Sequence, residues 1–159
     1  MSEFKWTTEA TKWFDSAFAS GDGPLREKFD RYYLCLILGL LHGRRSQLEG
    51  SPDTVIDYWI GNYKGTREQV LALLLCAAIE KHGLEWDDRA DIQGLCGVLF
   101  SQSEQTGLTS EGMDLANQFA FGGYRLMTER YPHDSAPQSQ VELIQFVSKL
   151  IADAPPLAT

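Results

Sequence analysis

The sequence lacks the long apolar segments of membrane proteins and the paired cysteines of many secreted ones. Its longest apolar run, 32–41, is too short for a membrane-spanning helix, which needs about 18 residues or more. No hydrophobic leader precedes the first helical pattern. The three cysteines, Cys35, Cys76 and Cys96, each lie in an apolar segment, which favours free buried thiols. We therefore expect a cytoplasmic protein that does not insert into a membrane.

The sequence also lacks the motifs of common metal and catalytic sites. It contains no C-x-x-C, H-E-x-x-H or Glu-x-x-His spacing and no Walker A sequence. The acidic run 85–91 lacks the alternating ligands of an EF-hand loop and is typical of a helix start. The histidines, His42, His82 and His133, adjoin predicted helix ends, where an imidazole can cap free carbonyls. We expect no metal, no cofactor and no catalytic residue.

Basic residues are fewer than acidic ones, which argues against a general nucleic-acid binder. The chain has 14 Lys and Arg against 22 Asp and Glu, a formal net charge of −8, whereas affinity for phosphates rests on lysine and arginine. The charge is uneven, because residues 1–45 hold seven basic and six acidic residues while 79–114 hold two and eight. Residues 1–45 therefore supply either ordinary solvated helix surface or a local nucleic-acid face. The candidate contacts of that face are Arg26, Lys28, Arg31, Arg44 and Arg45.

Apolar residues recur at helical spacing along most of the chain, and no segment shows the strict alternation of a half-buried strand. The predicted fold class is all-α, a compact single-domain bundle of about six to seven helices. The domain is predicted over 1–153, with a central helix around 25–42 and a flexible tail at 154–159. Thr66 and Gln69 have the spacing of a capping box at the start of one helix.

Several glycines fall inside helical patterns, where each costs about 1 kcal/mol relative to alanine. Close packing against another helix is a compensating reason, and we predict it for Gly39, Gly94 and Gly97. For the pair Gly122-Gly123, a kink or break in the helix is an equal alternative to close packing.

A short aromatic segment is the most unusual feature of the sequence. A short helix is predicted at 54–60, and three large rings lie in it or just after it: Tyr58, Trp59 and Tyr63. So short a helix has too little length to bury all three, so we expect at least one ring to be exposed as a candidate protein interface. A ring beside Lys64 and Arg67 can also stack on a nucleic-acid base.

One segment suggests a family. Residues 26–41, with Tyr32-Tyr33-Leu34-Cys35-Leu36 leading into an apolar helix, resemble the small helical accessory proteins of bacterial DNA sulfur-modification clusters, the DndE-like group. The resemblance implies a subunit of a DNA-modification or phage-defence assembly. It carries over no functional residue.

Three functional hypotheses follow from the sequence. The first is a non-enzymatic helical adaptor or structural subunit that binds a protein partner or a second copy of itself. The second is a nucleic-acid-associated subunit that uses the face between Arg26 and Arg45. The third is an enzyme whose site is assembled from scattered residues, for which no motif names a substrate.

Overall fold

The computed structural model describes residues 3–16, 25–49, 52–56, 58–131 and 136–156. These residues form six α-helices and two short paired strands, which confirms the all-α class. None of the helices that they form has the length and apolar character needed to cross a membrane.

The elements follow one another along the chain as mostly helical segments. In order they are β1 (Phe4–Trp6), α1 (Thr8–Asp15), α2 (Lys28–Leu41), β2 (Asp53–Ile56), a 3-10 helix (Gly61–Thr66), α3 (Arg67–Lys81), α4 (Arg89–Leu99), α5 (Ser110–Arg130) and α6 (Gln140–Ala152). They group into two compact units. The first unit holds residues 1–4 and 56–116, and the second holds 5–55 and 117–159. The domain boundary at 153 stays a prediction.

The predicted short helix at 54–60 is wrong. Residues Asp53–Ile56 form strand β2, which pairs with β1, and the helical turns come later, at Gly61–Thr66. Three consecutive β-branched residues in β2 favour extended backbone over helix. Strand β1 was missed for a different reason. It does alternate, with Phe4 and Trp6 buried and Lys5 exposed, but three residues are too few to reveal a period.

One predicted helix start also differs from the structure. The central helix α2 begins at Lys28 rather than near 25, and a reciprocal capping box between Glu27 and Asp30 marks its start. The helix predicted from Thr66 is confirmed, since this residue is the N-cap of α3. Its capping box is wrong, because the Thr66 side chain makes no cap hydrogen bond and its hydroxyl donates to the Tyr63 carbonyl at 3.3 Å. By contrast, Thr7 caps α1 by accepting a hydrogen bond from the Ala10 amide.

Helices α2 and α5 pack backbone against backbone in the second unit. A Cβ added at Gly39 would lie 2.8 Å from the Phe119 carbonyl carbon, and one at Gly123 would lie 2.7 Å from that of Cys35. A Cβ at Gly122 would meet the backbone of Arg44. These separations are below any that real Cβ atoms show, so close packing is confirmed at Gly39. It also explains the glycine pair, since α5 continues without a break through both residues.

The same prediction is wrong for Gly94 and Gly97. A Cβ at either position would have no atom within 4 Å, because α4 is exposed along most of its length and buries only Leu99. Glycine spacing alone does not distinguish a helix face that contacts a neighbour from one that faces solvent.

We expect alanine substitutions to separate the two glycine classes. Gly39→Ala and Gly123→Ala force the α2 and α5 backbones apart and should lower the free energy of unfolding by about 1–3 kcal/mol or more. Gly94→Ala is the matched control and should raise it by up to about 1 kcal/mol, because alanine favours an exposed helix. Urea denaturation measures both effects. Equal losses at Gly94 and Gly123 would contradict the packing described.

Trp6 lies at the centre of an aromatic cluster in the second unit. Its ring centroid lies 6.1 Å from each of those of Phe14, Tyr32 and Tyr124. Burial raises the pKa of Tyr32, and burial together with the charges of Glu9 and Cys35 raises the pKa of Tyr124 to about 12. These phenols therefore hold their protons more tightly in the folded chain than in the unfolded one.

Stability should consequently fall in alkaline solution. A raised folded-state pKa contributes stability that is complete below the unfolded value, near pH 10, and is lost as the pH rises toward 12. Each such group contributes a slope of up to about 1.4 kcal/mol per pH unit in this window. Tyr124→Phe should flatten the fall, as measured by urea denaturation at stepped pH. An unchanged slope in this variant would show that Tyr124 is not the group responsible.

Candidate functional site

A groove in the first unit contains part of the predicted aromatic interface. Its volume is about 680 Å³. It is lined by Tyr58, Trp59, Lys64, Arg67, Glu68 and Gln105. The 3-10 helix and the first turn of α3 contribute the charged residues, and the loop after α4 contributes the glutamine. The groove thus joins two rings, two cations, a carboxylate and an amide from separate parts of the sequence.

Trp59 is the buried anchor of this groove and not a surface contact. Its side chain is only 3% exposed, and its ring packs edge to face on Phe4 with centroids 5.2 Å apart. The indole N–H donates to the Thr106 carbonyl at 2.9 Å, so burial leaves no unpaired donor on this side chain. Of the three candidate interface rings, this one therefore supports the groove from within.

Tyr58 is the exposed ring, with 49% of its surface accessible. Tyr63 is half-buried in the 3-10 helix, where its amide donates to the Ile60 carbonyl at 2.8 Å. Tyr58 and Trp59 are neighbours outside any helix, and this lets one ring point inward while the other lies on the rim. The exposure expected of at least one ring is thus found at Tyr58.

The charges beside Tyr58 are mainly positive. Lys64 and Arg67 line the groove with one carboxylate, Glu68. An Arg67 Nη1 donates to the Gln105 carbonyl at 3.4 Å, which directs the guanidinium across the groove. A partner segment with an apolar side chain next to an acidic one would fit this arrangement. Its apolar side chain would pack on the Tyr58 ring, and its carboxylate would pair with the two cations.

No protein-family model, curated protein or solved structure matches this chain. The resemblance of residues 26–41 to the DndE-like group stays a prediction from sequence.

Arg31 is buried and is not part of an exposed basic face. Its side chain is 5% exposed, its Nε donates to the Leu25 carbonyl at 2.8 Å, and its Nη1 lies 2.7 Å from an Asp15 carboxylate oxygen. The guanidinium also lies over the Phe14 ring, 5.7 Å from its centroid. Because the charge is buried and paired, Arg31 links α1 to α2 and is not available to a phosphate. Its prediction as a nucleic-acid contact is wrong.

The remaining basic candidates do not form one face along α2. Arg26 and Lys28 are exposed at its beginning, whereas Arg44 and Arg45 follow its end. The 14 residues of α2 span about 21 Å. Arg26 is paired with Glu27, and Arg44 with Glu129. Lys28 and Arg45 are thus the exposed cations of this group for which the described residues supply no ion pair.

The cysteines and histidines have structural surroundings. All three cysteines are free, but only Cys35 is fully buried, while the other two are half-buried. His42 and His82 are the C-caps of α2 and α3, as expected from their positions. The His42 ring also hydrogen bonds to the Leu150 carbonyl in the last turn of α6, at 2.9 Å. His133 lies outside the described residues, and within them no cluster of metal ligands occurs.

Gln105 is the groove residue that sequence reasoning missed. It follows α4 and is 38 residues from Arg67, and nothing in its local sequence marks it. Gln105 lies in a loop whose two ends are joined by the bridge between Phe100 and Leu108. This bridge and the hydrogen bond from Trp59 to Thr106 bring the loop to the groove.

Truncating the two rings should affect stability very differently. Trp59→Ala removes a buried ring and its hydrogen bond, so it should lower the free energy of unfolding by about 3–5 kcal/mol. Tyr58→Ala removes an exposed ring and should change it by no more than about 0.5 kcal/mol. Chemical denaturation of both variants provides the comparison. A large loss for Tyr58→Ala would place that ring in the core.

Proposed function

We propose that this chain is a non-enzymatic helical adaptor, a cytoplasmic structural subunit of a larger bacterial assembly. Its partner binds the groove at Tyr58 through a segment that carries an apolar side chain beside a carboxylate. The DndE-like resemblance makes a DNA-modification or phage-defence system the setting that we propose.

The observation that carries this proposal is the exposed Tyr58 ring between a buried anchor and two cations. Trp59 holds the backbone next to Tyr58 through its packing and its bond to Thr106, so little conformational freedom is lost on binding. Tyrosine and arginine are the residue types most often found as energetic anchors of protein interfaces. Lys64 and Arg67 add preference for an acidic partner segment.

The nucleic-acid alternative at the Arg26–Arg45 face has less support. Phosphate binding needs several unpaired cations on one surface. Here Arg31 is buried, Arg26 and Arg44 have acidic partners, and the two ends of α2 are far apart. We therefore favour a protein partner.

The proposal predicts that binding depends on Tyr58 and not on exposed aromatic surface in general. The wild-type chain and the Tyr58→Ala variant would be tagged, expressed in the native host and purified with their bound proteins. Loss of an interface anchor should weaken the specific partner by about 2 kcal/mol, roughly 30-fold in Kd. Titration of the purified partner by calorimetry measures this loss.

Trp86 offers a matched control, because its ring is 53% exposed and does not line the groove. Trp86→Ala should retain the partner at wild-type affinity. Arg67→Gln should weaken binding more at low salt than at high salt, since its contribution is electrostatic. Retention of the same partner by Tyr58→Ala at unchanged affinity would refute the proposed site.

A further inference from the structure

The second unit contains a separate cavity, between the C-terminal end of α5 and one face of α6. Its volume is about 540 Å³, which lies in the range of small-molecule sites. The lining residues from α6 and its C-cap recur at helical spacing, with Glu142, Phe146, Lys149 and Asp153 on one stripe. Arg130 and Tyr131 supply the opposite wall.

Packed aromatic and apolar side chains form the floor of this cavity. Tyr131 and Phe146 pack edge to face, with centroids 5.1 Å apart and planes at 82°, and the buried Leu150 lies beside them. Tyr131 also packs edge to face on Trp13, with ring centroids 5.9 Å apart. Its hydroxyl donates to a Glu142 carboxylate oxygen at 3.1 Å. A flat apolar ligand would therefore meet rings whose positions are already set.

Two cations and two carboxylates line the cavity, and one of the carboxylates is held by hydrogen bonds within the chain. The Glu142 oxygen that accepts from Tyr131 also accepts from the Gln138 amide at 3.3 Å, so this carboxylate is already engaged within the chain. Arg130 and Lys149 are exposed on the two walls, and neither has an ion pair among the described residues. Asp153 is the remaining acid in the lining, one helical turn beyond Lys149. Its negative charge limits how much negative charge a ligand in the cavity can carry.

We propose that this cavity binds a small amphipathic monoanion, with a flat apolar or aromatic body on Phe146 and a carboxylate between Arg130 and Lys149. The two cations match a single carboxylate, and the rings match a body of one or two fused rings. This site is independent of the Tyr58 groove, and its failure would leave the proposed adaptor function untouched.

A set of three probes with the same ring system tests the charge preference. They are 2-naphthoate, 2-naphthylmethanol and 2-naphthylmethylamine, which are anionic, neutral and cationic at pH 7. Titration into the ¹⁵N-labelled full chain should perturb the amides of Tyr131, Phe146 and Leu150. We expect 2-naphthoate to bind at least about fivefold more tightly than the amine. Perturbations confined to other residues, or equal Kd values for all three probes, would overturn the proposal.

Substitution at Lys149 tests the carboxylate contact without disturbing the core, because this side chain is exposed. Lys149→Gln should raise the Kd of 2-naphthoate by about three- to tenfold and change that of 2-naphthylmethanol less than twofold. Lys81→Gln is the control. It removes the same charge from the exposed end of α3, far from Lys149 in the sequence, and should leave the Kd values of both probes unchanged. Identical behaviour of the two variants would show that Lys149 does not bind the anion.

Phe146→Leu tests the apolar floor. It keeps an apolar side chain but removes the ring, so all three probes should bind more weakly by a similar factor, about threefold or more. Selective loss of 2-naphthoate alone in this variant would contradict the assigned position of the aromatic body.

Discussion

Direct backbone contact between α2 and α5 is the constraint on which the second unit depends. Without side chains at Gly39 and Gly123, the two helices come close enough for the Tyr32 hydroxyl to reach the Asn117 amide oxygen, at 2.8 Å. The same oxygen accepts from the Lys5 amide at 3.0 Å, which ties β1 to α5. A buried polar side chain of this kind needs its partners at hydrogen-bond distance. The crossing therefore fixes the polar links of this core as well as its apolar packing.

Both proposed sites combine a buried ring with charged residues on a rim. In the first unit, Trp59 is anchored by its bond to Thr106, and Tyr58 and Arg67 are presented beside it. In the second unit, Tyr131 is anchored by Glu142 and packs on Phe146. In each case a satisfied hydrogen bond allows a polar aromatic group to be buried, which orders the surface next to it. Ordered rings lose little entropy when a ligand binds.

The helical part of the fold could be predicted because its signals are local. Apolar spacing and a capping threonine, Thr7 or Thr8, identify the start of α1, and the structure shows that Thr7 is the cap. The acidic start identifies α4 near Asp88. Strands β1 and β2 were not predicted, because β1 is too short to show a period and the β-branched residues of β2 were assigned to a short helix. Their pairing joins segments nearly fifty residues apart in sequence. The candidate site was predicted in part. The aromatic segment pointed to the groove, but the loop carrying Gln105 comes from elsewhere in the chain.

The sequence by itself determined the all-α class, the acidic charge and the presence of more rings near residue 60 than a short segment can bury. Those properties follow from composition and short-range periodicity, which need no knowledge of neighbours in space. Only the tertiary structure decided that Tyr58 and not Trp59 is exposed, that Arg31 is buried, and that Gly39 contacts a helix while Gly94 does not. Burial depends on what packs against a residue, and for these residues the neighbours come from distant parts of the chain.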